Sequence, residues 1–196
     1  MPIQEIRRLT ASGRDEEKMA IMLALHCAPI LKGSKPANII TVSRKEFRGI
    51  GRMLRGTNIS WRFLGGGSDK VILYLYREKE LKKRLRQNGI RAFLVEYGYP
   101  DNACVRECLN RLSKRLEEYG VEECGFPHEM GVFLGYPLKD VKSFIANRGE
   151  NYAYLGYWKV YHDVQRAVRL FQRYDREREL AVQEIVMGKT IREIAV

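Results

Sequence analysis

The apolar residues of this chain follow two rhythms, one helical and one of strict alternation, and the switches between them mark its elements. The polar cluster Arg14-Asp15-Glu16-Glu17-Lys18 leads into an apolar stretch from Met19 to Leu25, and Ser12-Gly13-Arg14-Asp15 has capping-box spacing. The pattern predicts a first helix over about residues 13–27, ended by Pro29 and Gly33. Asn38 to Val42 is a short β-rich run. Ser43-Arg44-Lys45-Glu46 is a second capping-box signal, opening a basic helix that closes near Gly56. Ile59 to Leu64 and Val71 to Tyr76 flank Gly65-Gly66-Gly67-Ser68-Asp69, the pattern of a β-hairpin with a flexible loop.

Further along, Arg77 to Asn88 reads as a helix ended by Gly89, and Ile90 to Tyr97 as a strand bounded by Gly98 and Pro100. In the long helix that follows, Cys104, Cys108, Leu112 and Leu116 recur every four residues beside Val105 and Leu109, which puts both cysteines on an apolar stripe. Pro127 and Pro137 suit the first turns of two short helices, the second carrying Val141, Phe144 and Ile145 inward and stopping at Gly149. Gly156 to Tyr161 predicts a last strand. A final long helix runs from Asp163 to about Leu180, with Val164, Ala167, Val168, Phe171 and Tyr174 on one face. Helices and strands are mixed, without the Gly-rich crossover turns of a dinucleotide-binding sheet. The expected fold is therefore α+β: one domain over residues 1–180, a mixed or antiparallel sheet of about four to five strands with packed helices, and a C-terminal helical extension over 181–196.

At 196 residues, 45% hydrophobic and 30% charged, the chain is long enough for a real core and lacks a disordered composition. The run from Met19 is broken by His26 and Pro29, too short to span a bilayer, and no small-residue cleavage site follows it. These features predict a cytoplasmic protein that does not enter a membrane. Four irregularly spaced cysteines do not form a disulfide framework and read as reduced thiols.

The charge changes the picture more. The net value is +11, and two stretches concentrate it. Residues 44–62 hold six basic residues against Glu46, and residues 77–91 hold seven against Glu78 and Glu80, so each is +5. Such fields attract an acidic or phosphate-bearing partner, although solvated helix faces produce the same count. Trp61, Tyr74 and Tyr76 would stack on bases if they shared an open face of the hairpin, which makes nucleic-acid binding one reading of the 44–62 and 77–91 stretches.

Candidate chemistry gathers elsewhere. His26-Cys27 and the run from Cys124 to His128 hold two of the three histidines and two of the four cysteines. If the fold brings them together, His26, Cys27, Cys124 and His128 would suit a metal such as zinc, or supply an axial ligand to haem. No second paired motif completes a zinc pattern. A thiol enzyme is the alternative, with Cys27 as nucleophile, His128 or His162 as base, and Glu129 or Asp163 as the orienting carboxylate. Against it, Cys27 falls at the C-terminal end of a helix, where the dipole raises a thiol pKa.

Three segments, His26-Cys27-Ala28-Pro29-Ile30-Leu31-Lys32-Gly33-Ser34-Lys35-Pro36-Ala37-Asn38, Phe126 to Pro137, and Gly156-Tyr157-Trp158-Lys159-Val160-Tyr161, together resemble an uncharacterised bacterial family, domain of unknown function 3793. The resemblance covers roughly residues 20–178 and implies a bacterial cytoplasmic protein, with no activity, substrate or cofactor to carry over. The leading expectation is a binding protein for a small molecule, metal or haem, at a site formed by residues 26–38 and 124–137. Lys35, Asn38 and Glu129 would give polar contacts, and Tyr157, Trp158 and Tyr161 an aromatic wall, although on a strand near the C-terminus such residues more often belong to the core. Two phosphate motifs fail. Gly188-Lys189-Thr190 lacks the leading glycine, since Gln183 stands there, and Gly49-Ile50-Gly51 sits inside a helical pattern.

Overall fold

The computed structural model describes residues 14–121 and 125–196, and the chain divides into two compact units. One runs to Arg77 and is taken up again over Arg173–Val196; the other is Glu78–Gln172. The α+β class and the antiparallel sheet are as expected.

In the first unit, helix α1 (Asp15–Leu31) packs on a three-stranded antiparallel sheet of β1 (Ala37–Ser43), β2 (Ser60–Gly66) and β3 (Lys70–Tyr76), ordered β1-β3-β2. Ile40 lies opposite Leu73 and Val42 opposite Val71, so alternate residues share one face. That face joins Leu23, Cys27 and Ile30 of α1 in a single core. Helix α2 (Arg44–Met53) starts at the expected capping box: Ser43 Oγ accepts from Glu46 N at 3.2 Å, and the Glu46 carboxylate accepts from Ser43 N at 2.7 Å. The hairpin forms as predicted. Gly66 has φ +145°, and a Cβ there would stand 2.4 Å from the Lys70 carbonyl oxygen, so the returning strand leaves room only for glycine.

Helix α1 runs through Pro29 to Leu31, four residues past its expected end at 27. Gly33 is what stops it: with φ +75°, it donates to the Ile30 carbonyl at 3.2 Å while Ser34 N donates to the Pro29 carbonyl at 2.9 Å, a Schellman closure. The capping box at Ser12 lies outside the described residues. Residues 181–196, expected as an extension, are part of the first unit's core. Ala181, Val182 and Ile185 at the end of α8 (Val164–Val186), and Ile191 and Ile194 of α9 (Ile191–Ile194), bury with α1.

The second unit holds α3 (Glu78–Leu85), α4 (Asn88–Glu96), α5 (Val105–Val121), α6 (Met130–Phe133), α7 (Leu138–Ala146) and the paired β4 (Tyr154–Leu155) and β5 (Lys159–Val160), with the first turns of α8. The strand expected over 90–97 is the helix α4. Its buried residues Ile90, Phe93 and Leu94 have helical spacing, and this decided the outcome over the β-forming composition. The last strand, expected over 156–161, is the short β4–β5 pair. Cys108 is buried on α5 as predicted, whereas Cys104 precedes the helix and is exposed.

Candidate functional site

The 26–38 segment brings three of the expected site residues together. Asn38 opens β1 on the face that packs against α1, and its Nδ2 donates to the His26 carbonyl at 2.9 Å and to Cys27 Sγ at 3.4 Å. Its Oδ1 accepts from Lys35 Nζ at 2.7 Å. Asn38 thus pins the end of the helix to the start of the strand while satisfying a lysine that is only 6% exposed. Burial pushes the Cys27 thiol up to about 11 and the Lys35 ammonium down to about 8. A fully enclosed thiol of that pKa stays protonated at neutral pH, the opposite of an activated nucleophile. The imidazole of His26 is on the exposed side of the helix.

The other candidates belong to the second unit. Glu129 is fully buried, ion-paired with the Arg115 guanidinium and hydrogen-bonded by the Tyr99 hydroxyl at 3.2 Å. His128 is exposed and sits between the rings of Phe126 and Phe144, at 5.5 and 5.1 Å, with its pKa lowered by partial burial. Trp158 is buried, its Nε1 donating to Asp140 at 2.8 Å and its ring stacked on Tyr136. Asp140 also accepts from the backbone of Tyr161 and His162, both at 3.0 Å, and closes that turn. Tyr157 packs on Phe171 at 5.4 Å. His162 Nε2 lies 2.9 Å from Ser143 Oγ, and Asp163 Oδ1 accepts from Arg166 N at 3.3 Å, at the start of α8. Cys124 lies outside the described residues. Among the described residues, no three His, Cys, Asp or Glu side chains gather as metal ligands do.

A family model described as Protein of unknown function (DUF3793) matches residues 23–195, across all three motif segments. The chain belongs to this family. No curated protein and no solved structure matches it. In this DUF3793 chain the motif residues Gly33, Asn38, Glu129 and Trp158 each hold a turn or join two elements.

The most open chemistry is on the 44–62 stretch. Arg44 donates from Nε to the Ser68 carbonyl at 2.9 Å, fastening the hairpin loop to the start of α2, and Lys45 pairs with Asp15 at 2.7 Å. Arg48, Arg52 and Arg55 follow at helical spacing, are exposed, and make no side-chain hydrogen bond or ion pair among the described residues. Beside them Trp61 rests edge-on against Phe47 at 5.0 Å and lies over Gly51, where a Cβ would stand 3.2 Å from its ring. Because β2 is an edge strand, Trp61 and Phe63 stay 40% and 43% exposed although they are in register with the core residues Leu75 and Leu73. Tyr74 and Tyr76 are on the opposite face, with Tyr74 fully buried, so the shared platform of Trp61, Tyr74 and Tyr76 does not form. The sequence pointed to the arginines and Trp61 and put Phe63 on the same side of the strand, a pattern that an ordinary core also uses; the exposure of Phe63 depends on strand order. Arg52 also borders a cleft of about 830 Å³ with Met19, Met53 and Ile191, whose rim charges are largely paired, as in Arg14 with Glu17 and Lys189 with Glu184.

Proposed function

We propose that this protein binds single-stranded nucleic acid through the α2–β2 surface. The observation that carries the reading is the combination of three uncommitted guanidiniums, Arg48 and Arg52 on α2 and Arg55 in the turn after it, with exposed Trp61 packed against that helix and exposed Phe63 two residues along the same face of β2. Arginines contact phosphates by charge and by paired hydrogen bonds, whereas exposed rings need unstacked bases to lie on, which a duplex does not present. Metal or haem binding through His26 and Cys27 has less support, since the thiol is enclosed and the imidazole exposed. A thiol enzyme built on Cys27 has the raised pKa against it. Among the described residues no helix is long and apolar enough to cross a membrane, and the cysteines are free, which supports a cytoplasmic location.

The test is fluorescence anisotropy with labelled single-stranded RNA and DNA across a salt series, against the same sequences as duplexes. The reading expects saturable binding of the single strands, weakening as salt rises, with a log–log slope shallower by about 2 when Arg48, Arg52 and Arg55 are all changed to Gln, on the order of 0.7 per phosphate contact. Absence of binding at low salt, or duplex bound as tightly as single strand, would overturn it.

A further inference from the structure

The second basic stretch frames a different feature. At its end, in the second unit, a pocket of about 310 Å³ is walled by Leu85, Leu94, Tyr99 and Cys108, all buried. Its remaining lining includes Arg86, Arg91 and Asn102, all exposed, which places its polar groups on the solvent side. These two arginines are the charged side chains of the lining. Arg91 is held in place: its Nη1 donates to Asn102 Oδ1 at 2.8 Å, and its Nε stands 3.3 Å from Asp101 Oδ1. Asn102 itself adopts φ +57°, a conformation costly for a non-glycine residue, and its N donates to Asp101 at 3.0 Å. The Arg86 side chain makes no hydrogen bond or ion pair among the described residues.

The pocket has buried apolar inner walls and a polar mouth that carries its two arginines, and its volume is at the lower end of the range of small-molecule sites. At roughly 30 Å³ for each water displaced, it holds on the order of ten non-hydrogen atoms. The charge selects the ligand further. Two guanidiniums less the Asp101 carboxylate leave one positive charge, which matches a monoanion and leaves a phosphate dianion undercompensated beside Asp101. We propose that this pocket binds a small organic carboxylate, its compact apolar body between Leu85, Leu94, Tyr99 and Cys108 and its carboxylate on Arg86 and Arg91. The site is independent of the nucleic-acid surface.

Phenylacetate is a suitable probe, titrated into the full-length protein by calorimetry and by methyl NMR. The expected result is saturable binding with shifts in the Leu85 and Leu94 methyl groups, weakened by about tenfold or more in Arg86→Gln and for neutral phenylacetamide. Arg86 is exposed, so its replacement leaves the fold intact, and the methyl spectrum of the variant verifies this. Absence of binding, shifts that avoid Leu85 and Leu94, or equal affinity for the amide or for Arg86→Gln would overturn the site. Tighter binding of phenyl phosphate than of phenylacetate would overturn the carboxylate assignment.

Discussion

Residues 44–62 and 77–91 have the same net charge of +5, yet the structure spends their arginines differently. In the second stretch two arginines are structural. Arg77 is buried in the first unit, where it donates to the carbonyls of Ile30 at 2.8 Å and Leu31 at 3.0 Å and to that of Val196, closing the C-terminal end of α1. Arg84, in the second unit, donates to the Val132 carbonyl at 2.6 Å and to that of Tyr136, holding the turn around α6. The exposed remainder of α3 is mostly lysine, with no exposed aromatic residue in the stretch. In the first stretch Arg48, Arg52 and Arg55 are uncommitted, and exposed Trp61 packs against the same helix at Phe47 and Gly51. Equal charge therefore does not mean equal function; Arg44 of the first stretch is also bound to a carbonyl and Arg86 of the second is not, so what separates the two is how many guanidiniums are left uncommitted and whether an open ring accompanies them.

The largest effect that tests this contrast is on folding. Arg77→Ala leaves carbonyls at the end of α1 without their charged donor and should lower stability by about 3 kcal/mol in urea denaturation, whereas Arg48→Ala should stay within about 0.5 kcal/mol. Equal losses would erase the distinction. Next comes the aromatic partner: Trp61→Ala should weaken single-strand binding by about 1–3 kcal/mol, read by anisotropy, because stacking is lost while the arginines remain. Unchanged affinity would remove the rings from the account.

A cation outside both stretches sharpens the comparison through pH. The folded pKa of Lys35 is depressed to about 8, so above that value the unfolded chain holds a proton the fold has lost, and stability rises with pH. Cys27 acts in the opposite direction: its folded thiol keeps a proton from about 9 to about 11, and stability falls over that window. Cys27→Ala should therefore gain stability relative to the parent between about pH 9 and 10, by at most about 1.4 kcal/mol per unit. Urea midpoints at a series of pH values check this, and parallel profiles would contradict it. The smallest effect expected is that of Lys79, Lys82 and Lys83 changed together to Gln, which should alter stability by less than about 0.5 kcal/mol and leave single-strand affinity nearly unchanged.

Much of the fold was legible where local signals agreed. Ser43 with Glu46 fixed the start of α2, and the glycines between two β-rich runs fixed the hairpin. Local chemistry misled where tertiary contacts decide. Ile90 to Tyr97 is apolar enough for a strand but buries Ile90, Phe93 and Leu94 along a helical face, and Pro29 lies within a helix that Gly33 terminates. Of the candidate site, the sequence showed that Cys27, Lys35 and Asn38 were neighbours in chemistry, and they do meet. It did not show that the meeting is buried, because that depends on which face of β1 packs on α1. Nor did it separate Trp61 from Tyr74, since the face of each ring follows from strand register and a bulge between Phe63 and Gly65.

The most direct test of the central claim is photo-crosslinking of a single-stranded oligonucleotide carrying 4-thiouridine to the protein, with the attached peptides identified by mass spectrometry. The account predicts attachment at Trp61 or Phe63, lost when Arg48, Arg52 and Arg55 are replaced by Gln. Attachment confined to the 77–91 stretch, or unaffected by those replacements, would contradict it.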